Sequence, residues 1–117
     1  MCQRATGGPF AALTGVAKAH FAWTRGEPAW FASSSLARRP FCRDCGTPLG
    51  FEYVSGPIID VMVGALDDPE RANMRSHVGV ESRLSWLKLN DGLPEHRTGE
   101  TSSIGLQGLV SQQSGDA

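Results

Sequence analysis

The chain has no run of about 18 apolar residues, so no part of it reads as a bilayer-spanning helix. It has no charge excess of either sign. Eleven lysines and arginines stand against twelve acids, a net charge of −1, and this offers no electrostatic reason to expect a nucleic acid or an anionic membrane as partner. The opening residues Met1-Cys2-Gln3-Arg4 lack a basic stretch followed by an apolar one, so they do not read as a secretory signal. Cysteine is scarce: three in all, a pair and a singleton, which argues against a secreted disulfide framework and for a reducing cytoplasm. What is present is ordinary for a globular protein, with 40% hydrophobic and 20% charged residues. A length of 117 residues suffices for one domain with a modest core and is too short for two.

The pattern along the chain is that of strands divided by turns. Residues 20–24 alternate, Arg25-Gly26-Glu27-Pro28 turns the chain, and residues 29–33 read as the next strand. Residues 39–41 lead into a cysteine turn and residues 47–54 lead away from it, with Leu49, Phe51 and Tyr53 on one face. Residues 58–63 are β-branched and apolar almost throughout, the mark of a central strand. Asp67-Asp68-Pro69 reads as a turn followed by one helical turn, residues 76–81 as a short last strand, and residues 85–89 as a single helical turn around Trp86. The expected class is mainly β, with the domain over residues 1–97. From Thr98 the composition shifts to Gly, Ser, Thr and Gln, so residues 98–117 read as a flexible polar tail, with docking of residues 104–110 on a neighbour as the alternative.

The chemistry-bearing stretch is Cys42-Arg43-Asp44-Cys45-Gly46. Two thiolates spaced C-x-x-C on a tight turn can grip one tetrahedral zinc, with Gly46 allowing the backbone to fold round it. A redox pair would favour a C-x-x-C that opens a helix, and Gly46-Thr47-Pro48 argues against such a start; two unrelated buried cysteines are the other alternative. A closed structural site needs four ligands, and the one further cysteine is Cys2, followed by Gly7 and Gly8, which permit close backbone approach to a metal or small ligand or simply serve a loop. His77 reads as a hydrogen-bonded structural histidine inside the fold, and His20 and His96 as exposed. Asp67 and Asp68 suit an Asx-type turn better than an acid/base pair, and Trp23, Trp30 and Trp86 suit packing better than a binding platform. Arg38 and Arg39 stand at a strand end beside the cysteine turn, either solvated or facing an anionic substrate.

Taken in order, these blocks resemble one family. Cys2-Gln3-Arg4-Ala5-Thr6-Gly7, Arg25-Gly26-Glu27-Pro28, Arg39-Pro40-Phe41-Cys42-Arg43-Asp44-Cys45-Gly46-Thr47-Pro48-Leu49, Gly64-Ala65-Leu66-Asp67-Asp68-Pro69, His77, and Trp86 through Asp91-Gly92-Leu93-Pro94 are similar to the glutathione-dependent formaldehyde-activating enzymes, a family that includes centromere protein V. The resemblance implies a zinc-binding β-tent fold with two zinc sites. A structural zinc held partly by a C-x-x-C maps to Cys42 and Cys45. A second zinc with an open position maps, through the last cysteine of its ligand run, to Cys2. It also implies a carbon–sulfur lyase activity that joins formaldehyde to glutathione, for which a three-cysteine zinc with a vacant position is chemically suited.

The resemblance also implies ligands upstream of Cys2 that this sequence does not contain, leaving two of four structural ligands and one of three catalytic ones. The simplest expectation is a start placed at an internal methionine; a truncated, inactive paralogue is the alternative. The leading expectation is therefore a zinc-dependent lyase-like protein acting on an adduct of an aldehyde with a small thiol such as glutathione. The rival is a non-catalytic, zinc-stabilised binding module. Missing N-terminal strands would uncover a sheet edge, with Phe21, Trp23, Phe51 and residues 58–63 as candidates for exposure, so a homo-oligomer is expected.

Overall fold

In the computed structural model, residues 1–102 and 105–113 are described. Five strands form one antiparallel sheet: β1 (Leu13–Ala17), β2 (Ala29–Phe31), β3 (Ala37–Phe41), β4 (Gly50–Tyr53) and β5 (Ile58–Met62), in the spatial order β1-β5-β4-β3-β2. The mainly β class expected from the alternation is the class observed. The apolar, β-branched β5 lies between β1 and β4, where the ladder on both sides is filled. Ile59 and Met62 on it, with Ala37 and the fully buried Pro40 of β3, are the core apolar positions. Gly50 explains how closely β4 and β5 approach: a Cβ there would lie 2.5 Å from the Asp60 carbonyl oxygen.

Successive side chains of a strand leave the sheet on opposite sides, and directly paired residues share a side. The pairs Arg38↔Glu52 and Glu52↔Ile59 therefore define one face, and Phe31↔Arg39 and Phe51↔Asp60 the other. On the first, Glu52 is only 5% exposed and accepts a 2.6 Å hydrogen bond from Arg38 Nε, while Lys18 Nζ stands 3.6 Å from its other oxygen. The Arg38 guanidinium also lies 3.8 Å over the Trp30 ring. Arg38, its side chain still 42% exposed, is paired on one face, and Arg39 is buried on the other rather than solvated.

Several elements differ from the sequence expectation. Residues 20–24 are not a strand. The strand lies earlier, at β1, because all five of its residues pair with β5, and a 3₁₀ turn at Lys18–His20 then takes the chain away. The alternation of Phe21 and Trp23 instead serves ring packing, edge to face at 4.9 Å, with Trp23 meeting Trp30 at 6.2 Å. Residues 58–63 are not an uncovered edge; the edges are β1 and β2. The short strand expected at 76–81 is only β6 (His77–Val78), ended by Gly79 at φ 67°, and it pairs in parallel with β7 (Glu95–His96), which the sequence pattern did not mark. A short helix, α1 (Cys2–Thr6), begins the described chain.

Of the polar segment, residues 103, 104 and 114–117 lie outside the described residues, and with them Ile104. Within the described part, Ser111 bridges to Ser34, Ser35 N donates to Val110 O, and Gln112 N donates to Ser33 O. These bonds bring Gln113 back to the sheet.

Candidate functional site

The cysteine turn is built by the hairpin joining β3 to β4. Cys42 N donates to Thr47 O at 2.9 Å, Gly46 N donates to Cys42 O at 2.8 Å, and Phe41 bridges to Pro48. Gly46 takes φ 78°, a left-handed conformation that a side chain would strain. No helix follows, so the helix-start geometry that tunes a redox C-x-x-C is absent from this turn. Cys42 is half-buried and Cys45 exposed, and Cys45 Sγ lies 3.0 Å from Thr47 Oγ1. The Thr47 hydroxyl, then the Thr47 backbone, then a hydrogen bond with Cys42 hold the Cys45 thiol below its ordinary range, opposed by desolvation and then by the Asp44 charge. Cys45 is therefore expected to be the first thiol alkylated by iodoacetamide near neutral pH. Mass spectrometry of a brief labelling time course checks this, and Cys2 reacting first would contradict it.

Cys2 belongs to a different place. It opens α1, and Arg39 Nη2 donates to its sulfur at 3.6 Å. Arg39 is 7% exposed and lies 4.7 Å over the Phe51 ring. Tyr53 and Asp60 belong to the same neighbourhood: burial, then the charges of Asp60 and Cys2, push the Tyr53 hydroxyl up, opposed by a hydrogen bond with Ser102 and by Arg39. Among the described residues, no three His, Cys, Asp or Glu side chains come together as a metal-holding group. The turn at Cys42 and Cys45 thus fits half of a tetrahedral zinc site, while Cys2 is held by a buried cation that opposes a second one. The described residues of one chain do not by themselves fit a closed zinc centre.

Burial pushes the Asp60 carboxyl above its usual range. A folded-state value above the unfolded one means that the native state binds the proton more tightly. Asp60 then favours folding while protonated, and this contribution is lost as pH rises through its folded titration. Asp60→Asn is expected to flatten that part of the stability–pH profile and to stabilise the protein at neutral pH. Urea midpoints between pH 4 and 8 test this; a variant profile parallel to the parent's would contradict it.

The remaining sequence candidates lie elsewhere. His77 Nε2 sits 2.9 Å from Asp91 Oδ2, a structural tie between β6 and the following loop. The Leu93 N–H first, and His77 second, hold the Asp91 carboxyl below its usual range. His96 faces Glu100 at 3.4 Å. Asp68 leads into a 3₁₀ turn at Pro69–Arg71. Trp86 is 68% exposed and not packed. Sequence reasoning did not single out Gln113, Tyr53 or Asp60. A clue lay in the pairing of Arg38 with Arg39, since adjacent strand residues must serve opposite faces.

A cleft of about 300 Å³ lies between α1 and the base of the cysteine turn, with none of the three cysteines among its lining residues. Arg4 and Ala5 of α1, Arg39, Phe41 and Gly46 beside the cysteine turn, and Gln113 all line it. The family model of the glutathione-dependent formaldehyde-activating enzyme matches residues 1–82. The chain belongs to this family. No curated protein and no solved structure matches it. In glutathione-dependent formaldehyde-activating terms, the matched region holds all three cysteines, the whole five-stranded sheet and the α1 wall of the cleft. Gln113 is a part of the cleft outside it.

Proposed function

We propose that the protein acts on the adduct of an aldehyde with a small thiol, glutathione in the first instance, as a carbon–sulfur lyase-type catalyst in a reducing cytoplasm. The observation that carries this is the cleft joining α1, which bears Cys2, to the base of the Cys42/Cys45 turn in a chain of this family. In the addition direction the thiol sulfur bonds to the carbonyl carbon, the C=O π pair moves to oxygen, and the thiol proton ends there. In reverse the hydroxyl proton is lost, the C–S bond breaks and the thiolate leaves. A zinc in a β-tent scaffold would be held by Cys42 and Cys45 with ligands from outside the described residues. A second copy of the chain, meeting turn against turn, offers two such thiolates and makes the protein a homo-oligomer.

The test is exchange spectroscopy of ¹³C-formaldehyde with glutathione, with the chain at increasing zinc. Acceleration over the uncatalysed exchange, reduced at least tenfold by Cys2→Ser, is the expected result. No acceleration at saturating zinc would overturn it. A second reading is favoured by Cys2 being bound to Arg39 and apart from the turn: a non-catalytic, zinc-stabilised binding module. It gains if glutathione binds while the exchange rate does not change.

A further inference from the structure

Arg39 carries more donor capacity than the folded chain uses. A guanidinium offers five N–H donors in a fixed fork. Here Nη2 reaches Cys2, while Nε and Nη1 are buried with no hydrogen-bond partner among the described residues. Burying such donors unsatisfied is costly, and a native protein keeps them where something else gains from them. On the same cleft, Gln113 holds its side-chain Oε1 buried and equally without a partner. Orphaned donors on a cation and an orphaned neutral acceptor thus lie buried on two residues that line the same cleft.

We propose that this cleft is a subsite for a carboxylate borne on an amide-containing thiol, the carboxylate received by Arg39 and an amide or ammonium N–H by Gln113. A carboxylate matches the guanidinium fork in a way a point cation would not reproduce. The apolar remainder of the cleft, with Phe31 and Met62, removes water from the pair and strengthens it. The five-residue α1 is joined to the body by Gln3 Nε2 donating to Ser82 O, by Arg39 Nη2 donating to Cys2, and through Arg4, and the Gln113 segment by its bonds to residues 33–35. Ligand entry requires one of these elements to move aside from the buried donors. This assignment deepens the thiol-adduct reading above and rests on it for the identity of the ligand.

The experiment titrates the metal-free full chain with S-methylglutathione, which cannot react or coordinate through a free thiol, and follows amide chemical shifts. Binding is expected to weaken at least tenfold in Arg39→Met and several-fold in Gln113→Leu. The diester of S-methylglutathione, with both carboxylates masked, should bind at least tenfold more weakly to the parent. Because Arg39→Met removes orphaned donors, its thermal midpoint should equal or exceed the parent's. Binding that survives both substitutions, or a diester that binds as well as the acid, overturns the subsite and leaves the thiol reading standing. N-acetylglycine binding as tightly as S-methylglutathione, and lost in Arg39→Met, supports the subsite and removes support from the thiol reading. A parent chain that binds none of the three overturns the subsite. Should Arg39→Met fail to fold, the diester comparison and Gln113→Leu decide without it.

Discussion

Alanine at Gly50 is expected to destabilise the protein by about 3 kcal/mol, at the upper end for overpacking. The added Cβ would meet the Asp60 carbonyl oxygen at 2.5 Å and the Pro40 ring at 3.5 Å. The first is backbone of the central strand and cannot rotate away, so β4 and β5 must separate where Gly50 pairs with Val61. The Phe51↔Asp60 pair next along would move with them, disturbing the face on which Arg39 lies. Urea denaturation reads the cost directly. Gly64→Ala serves as the control, because a Cβ there meets nothing within 4 Å. Equal midpoints for the two variants would refute the close-approach argument.

Zinc affinity is expected to be modest in the isolated chain and to fall about a hundredfold, the equivalent of about 2.8 kcal/mol, when either Cys42 or Cys45 becomes serine. A zinc closed by four ligands contributes roughly 10–16 kcal/mol. The hairpin turn offers two thiols within hydrogen-bonding reach of each other, and Cys2 lies apart beside Arg39. Dialysed protein should accordingly hold well under one zinc per monomer by elemental analysis. If two turns share an ion, added zinc should shift the sedimentation of the chain toward a dimer with one metal per pair. A chelator-resistant, stoichiometric zinc on a monomer would refute the two-ligand reading. A dimer unchanged by the double substitution Cys42→Ser/Cys45→Ser would refute only the shared ion.

What the sequence determined by itself was local or ordered along the chain. The β-branched run at 58–63 could be read as a central strand, observed at 58–62, because burial on both faces requires apolar residues at both parities. The cysteine turn was legible because a C-x-x-C followed by Gly46 encodes a single loop, and loop geometry depends on neighbours in sequence. The family was legible from the order of several short blocks, and the family match over residues 1–82 agrees.

Only the tertiary structure decided the rest. The aromatic alternation at Phe21 and Trp23 imitates a strand, yet whether an alternating segment joins a ladder depends on which partner edge is open, and β1 occupies that edge of β5. The division of Arg38 and Arg39 between an ion-paired face and a buried cleft depends on register, since one residue of slip would exchange them. Gln113 reaches Arg39's cleft from 74 positions away in sequence (113 less 39), through backbone bonds of residues 110–112 whose composition reads as loose tail. No local pattern encodes such a meeting, because the energy that fixes it comes from the completed sheet.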